Sequence, residues 1–181
     1  MTPVTVADLL AELTKLDPLS PVMVSTGYEH VPAALPELKP YFFRGVYYTT
    51  AEVADLQHSC DIDARAVATT HPPALVIDEG NEPLTVRELC EHLESLDKRS
   101  IVKVIDGDRQ GDPAPPVTAP FLVLGEPYTN ADVGYLMRDP QFNVERDKLT
   151  YLAHPVCIIH AQEHAAVPVA TQQRCRTLLT R

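Results

Sequence analysis

At 181 residues the chain has room for one ordinary domain or two small ones. Hydrophobic residues at 45% and charged residues at 22% are the mix of a globular protein with a sizeable core. The net charge of -10 argues against a broad nucleic-acid surface, which needs clustered lysine and arginine to displace counterions.

The first helix is predicted to begin at Thr5, with Asp8 three residues on completing a capping box. The hydroxyl accepts from an orphan backbone N–H, and the carboxylate bonds back at the positive end of the helix dipole. Val6, Leu9, Leu10, Leu13 and Leu16 form its apolar stripe, and Asp17-Pro18 ends it. A β-branched strand follows over 21–26 and closes at Gly27. A proline-rich connection then leads to an apolar strand over 41–48, read as one piece. Thr49 with Glu52 caps a second, short helix, and a strand over 74–77 finishes the unit.

The unit then repeats. Thr5, Val6, Leu9, Leu13, Leu16 and Asp17 recur as Thr85, Val86, Leu89, Leu93, Leu96 and Asp97. Val22, Val24 and Gly27 fall on Val102, Val104 and Gly107; Pro40, Gly45, Tyr48 and Thr49 fall on Pro120, Gly125, Tyr128 and Thr129. A register constant at about 80 residues is the mark of a tandem duplication. After the second short helix the later copy is read as gaining about three residues, which sets His154 on His71. The expected architecture is α/β or α+β, in two pseudo-symmetric modules of helix, strand, strand, short helix and strand. Their bounds are 1–80 and 81–164, with a basic tail over 165–181. The strand at 74–77, the helix from Thr85 and the strand at 101–105 read as a β–α–β crossover. Neither copy buries enough surface to stand comfortably alone, so the two are expected to pack together.

The stretch T-V-x-[DE]-L-x-x-x-L-x-x-L-D, followed by V-x-V and Gly, resembles a small helix–strand module of actinobacterial and phage proteins of unknown function. Such proteins often continue into a Gly-Tyr-Glu run like Gly27-Tyr28-Glu29. The resemblance covers the first third of each copy. It implies a phage-related accessory protein that acts by binding other proteins, and it carries no catalytic residue with it.

No secretion signal or bilayer-spanning run is seen, so a cytoplasmic protein with Cys60, Cys90, Cys157 and Cys175 reduced is expected. Asp106-Gly-Asp108-Arg-Gln110-Gly-Asp112 follows the opening of a calcium loop, but Val117 stands where a bidentate Glu is needed. It is read as a surface turn. Cys157, His160 and His164 offer zinc-type ligands, yet on a strand the first two point to opposite faces. A buried cysteine with exposed histidines is the expected arrangement, and no cofactor is predicted. G-x-S-x-G, P-loop and dinucleotide fingerprints are missing from the sequence, which favours a non-enzymatic role. In the aromatic run 41–48 the second copy substitutes Leu122-Val123-Leu124 and Glu126-Pro127. Tyr28, Glu29, His30, Tyr41, Phe43 and Tyr47 are therefore read as one copy-specific face for a protein partner. The alternative is a ligand- or metal-dependent protein, an enzyme included, working in the cleft between the modules.

Overall fold

A computed structural model describes residues 3–25, 29–60, 64–106 and 109–162. The first half runs α1 (Val6–Leu13), β1 (Pro21–Ser25), β2 (His30–Pro32), β3 (Glu37–Phe43), β4 (Val46–Tyr48), α2 (Thr50–Cys60), a 3-10 turn (Ala64–Ala66) and β5 (Ala68–Ile77). The second runs β6 (Leu84–Thr85), α3 (Val86–Glu94), β7 (Val102–Asp106), β8 (Arg109–Gly111), β9 (Val117–Val123), β10 (Glu126–Tyr128), α4 (Asn130–Leu136) and β11 (Thr150–Ile159). The class is α+β, with helices packed on two sheets.

Each sheet is built from both halves. Sheet I has the order β4-β3-β5-β7-β8, and sheet II the order β10-β9-β11-β1-β2 with β6 beside β1. Two parallel pairings carry the exchange: β5 with β7, the expected crossover, and β11 with β1. All other pairings in the two sheets are antiparallel. Helix ends are exchanged as well. The Val6 and Ala7 N–H groups at the start of α1 donate to the Ser100 and Lys98 carbonyls at 2.9 and 3.1 Å. Val86 and Arg87 at the start of α3 donate to Ser20 and Pro18 at 2.9 and 3.0 Å. Donors that a helix leaves unpaired at its N-terminus are thus met by backbone from the opposite half.

One core results. Val6, Leu9, Leu13, Val22 and Val24 pack with Val86, Leu89, Leu93, Val102 and Val104, and with Leu75, Ile77, Cys157 and Ile159 from the central strands. The expected stripes are the buried faces of α1 and α3. Capping boxes close at Thr5–Asp8, Thr49–Glu52, Thr85–Glu88 and Thr129–Asp132.

Two sequence expectations are corrected. Residues 41–48 are not one strand. Arg44 and Gly45 take left-handed φ of 49° and 89°, making the two-residue turn between β3 and β4, and Leu124 and Gly125 repeat it at 52° and 91°. The proline-rich connection that follows the first strand holds a short hairpin partner, β2, repeated as β8. The histidine match also fails by one residue. Glu37 pairs with Val76 and Val117 with Ile158; Tyr41 pairs with Thr69 and Phe121 with Tyr151. The second half therefore gains two residues rather than three, and His154 matches Pro72 while His71 matches Ala153. A one-residue slip on a strand reverses the face, so the two histidines do not share a role.

Candidate functional site

The residues read as one binding face are spread over two sheets. Tyr28 lies outside the described residues; Glu29 is exposed just before β2 in sheet II, where His30 opens the strand. Tyr41, Phe43 and Tyr47 belong to the β3–β4 hairpin of sheet I. Tyr41 pairs with Tyr48 and Phe42 with Tyr47, so alternation puts Tyr41 and Phe43 on one side and Tyr47 on the other. Tyr47 stacks on Phe42 at 4.8 Å, and the Arg44 guanidinium sits 5.0 Å over the Phe43 ring. Tyr41 lines a pocket beside α2 with Val53, Gln57 and Thr69. The single face expected from the sequence is not formed.

The metal candidates also part company. Asp106 and Arg109 pair across the β7–β8 hairpin, and Asp112 takes a 2.8 Å bond from the half-buried Lys103. Asp108 and His164 lie outside the described residues, as does the tail. Cys157 is fully buried in the core, with its thiol pushed up to about 12 by burial and then by Cys90. His160 stands just past the end of β11. Among the described residues no three His, Cys, Asp or Glu side chains are grouped to hold an ion. The cleft between the halves offers a groove of about 300 Å³ between α1 and residues 113–116, floored by Val4, Leu9 and Ala11. Its carboxylates are engaged, Asp8 by Thr5 and Glu12 by Lys15. On α3 the matching His92 ring contacts the Pro36 carbonyl at 3.1 Å.

The halves differ most at two places. One is at the edge strands β4 and β8 of sheet I, which meet, and at their counterparts β10 and β2 in sheet II. In sheet I the Tyr47 N–H donates to Gln110 Oε1 at 2.7 Å, and Gln110 Nε2 donates to the Tyr47 carbonyl at 2.9 Å. The matched residues in sheet II are Pro127 and His30. His30 Nδ1 is buried with no hydrogen-bond partner. Burial, then His160, hold its pKa down at about 4, against a smaller opposing pull from Asp132. Asp132 is itself buried, bonded to the N-cap Thr129 of α4, and Tyr128 is pushed up to about 12 by burial, then by Glu126 and Asp132.

The other difference is a set of exposed apolar side chains on the second half. Leu124 is 70% exposed, Tyr151 72%, Met137 53% and Tyr135 45%. Each is next in sequence to, or in ring contact with, a member of the satellite cluster of Phe121, Val123, Tyr128, Val133 and Leu136. Leu124 follows Val123, Tyr135 and Met137 bracket Leu136, and Tyr151 packs edge-on to Phe121 at 5.5 Å. The matched positions in the first half are Arg44, Thr69, Gln57 and Asp55, all exposed and all polar or charged. Sequence reading weighed the aromatics peculiar to the first half and passed over these. The signal was present in the repeat, but finding Tyr151 required the two-residue register.

Comparison with known proteins adds nothing to this geometry. No family model matches the chain, and no curated protein or solved structure is significantly similar to it.

Proposed function

We propose that this chain is a non-enzymatic protein-binding protein, of the accessory or inhibitor kind, that presents the second half's exposed apolar side chains to a partner. The observation that carries this is the exposure of Leu124, Tyr135, Met137 and Tyr151 where the same fold elsewhere uses Arg44, Asp55, Gln57 and Thr69. Stability does not require these apolar side chains, since the matched elements form without them. Leu124 sharpens the point, because a left-handed turn position favours Asn, Asp or Gly and an exposed leucine gains nothing from burial there. Aromatic and methionine side chains grouped over a packed base are the usual anchors of a protein interface. The net charge of -10 suits a basic partner.

The test transplants the first half's residues onto the second, as L124R, Y135D, M137Q and Y151T together. The parent is expected to capture one identified partner, reconstitutable from purified components, and the variant to lose it while its melting temperature moves by only a few degrees. Each anchor lost should weaken binding about 30-fold, the equivalent of roughly 2 kcal/mol. Unchanged binding by the variant would remove these side chains from the interaction, and unfolding would show the four of them to be structural.

A further inference from the structure

The groove beside α1 is the counterpart of one that the first half closes. Matched hydrogen bonds set the register. The Gly80 N–H donates to the Pro32 carbonyl as Gln162 does to Asp112, and Ala34 donates to Asp78 as Ala114 does to His160. Residues 33–36 thus correspond to 113–116, and α3 to α1. In the first half the Ala34 backbone comes so near Gly80 that a Cβ there would meet the Ala34 Cα at 2.9 Å. His92 then spans from α3 to the Pro36 carbonyl at 3.1 Å. In the second half Gln162 stands in place of Gly80, and Glu12, at the position of His92, bonds to Lys15 of its own segment at 2.8 Å. The space left open, about 300 Å³, is lined by Val4, Leu9, Ala11, Ala114 and Pro115.

The course of the chain points to what fills it. Beyond Gly80 the first half runs on to Leu84 and Thr85, which pair with Val22 and Pro21 at the start of β1. The matching place at the start of β7 is taken: Thr5 bridges to Ile101, and the Val102 N–H donates to the Val4 carbonyl at 2.8 Å. That place is closed to the residues after Gln162, and Gln162 itself lines the groove. We propose that the groove seats the chain's own tail, with Val167 and Val169 against Leu9 and Ala11. The reach is ample, since extended chain from Gln162 to Val169 spans about 23 Å. The chemistry matches on two counts. Residues 165–169 are two alanines followed by valine, proline and valine, an uncharged run for an apolar floor. The charged side chains that line the groove, Asp8 and Glu12, are both acidic, whereas residues 165–181 carry Arg174, Arg176 and Arg181 and no Asp or Glu. The groove shares no residue with Leu124, Tyr135, Met137 and Tyr151, so the tail's seat and the partner surface can fail independently.

The experiment is NMR on the full chain with methyl-labelled alanine, leucine and valine. Nuclear Overhauser contacts are expected from the Val167 and Val169 methyls to Leu9 and Ala11, unchanged on dilution by about tenfold. The Val167 and Val169 amides should exchange about tenfold more slowly than in a free chain. Ala11→Arg places a cation in the groove on an exposed helix position, and should abolish the contacts and that slowing while both sheets keep their protection. V167D with V169D leaves the folded part untouched and should shift the Leu9 and Ala114 resonances. The proposal is overturned if the parent shows no such contacts, if A11R leaves the two amides equally slow, or if V167D with V169D moves nothing in the groove. It is overturned as well if the contacts appear only between differently labelled molecules, which would give the groove to a second copy.

Discussion

Sheets I and II are the same construction filled differently, and the differences are polar in one and apolar or titratable in the other. Sheet I holds Lys39 almost fully buried against Glu52 at 2.6 Å, and pairs Lys103 with Asp112 at 2.8 Å. At the matched positions sheet II has Ala119 near Asp132, and Met23 with Pro32. Ala119, Val156, Ile158 and Met23 form a small apolar cluster there. Each buried charge in sheet I has its partner, as desolvation demands. Sheet II instead buries the lone Nδ1 of His30 and exposes Leu124 and Tyr151. Two halves with the same element order are each other's control: what both keep serves folding, and what one changes without loss of structure is free to serve something else.

The largest expected effect tests whether the halves are separable at all. Leu93 is fully buried in the core that both halves share. Leu93→Ala should cost about 2–5 kcal/mol, and urea unfolding should lower the protection of both sheets in one transition. Two transitions, with only one sheet affected, would mean that each half keeps a core of its own.

A smaller effect separates the sheets by pH. The folded pKa of His30, about 4, lies below the ordinary histidine value of 6.5, so the unfolded chain binds this proton more readily. Its contribution is complete above the unfolded value and declines as pH falls from 6.5 through about 4. The size is roughly 2–3 kcal/mol, taking 1.36 kcal/mol per unit and allowing for partial exposure. Denaturation at pH 7 and pH 4.5 should show the decline in the parent and lose most of it in H30Q. An equal decline in both would place the acid response elsewhere.

The smallest effect asks where the copies should behave alike. Thr5→Ala and Thr85→Ala each break a capping box that both halves keep, and each should cost about 1 kcal/mol in thermal unfolding. A difference well outside the error between the two would show that the exchanged helix ends are not equivalent.

Local chemistry was legible in the sequence. Capping boxes, apolar stripes and the crossover from β5 to β7 were read from spacing alone, because they depend on residues three or four apart or on one unbroken helix. The short strands β2 and β8 were missed because three residues carry too little alternation to distinguish them from a loop. The turns at Arg44 and Leu124 were missed because neither residue advertises a left-handed conformation, leaving Gly45 and Gly125 as the only hint. Of the site, His30 was named for the wrong neighbours. Its expected company was Tyr41 to Tyr47 of sheet I, and it pairs instead with Ser25 in sheet II.

By itself, then, the sequence determined that one helix–strand pattern occurs twice, with each helix start and each buried stripe in place. Only the tertiary structure decided that the copies trade their parts. It laid β1 beside β11, set the backbone of one half on the helix start of the other, and brought the edges of sheet I together. The reason is physical. Patterns of period two or 3.6 say which face a residue buries but not against which element, and the long-range pairings here satisfy helix donors and strand edges that neither half satisfies alone.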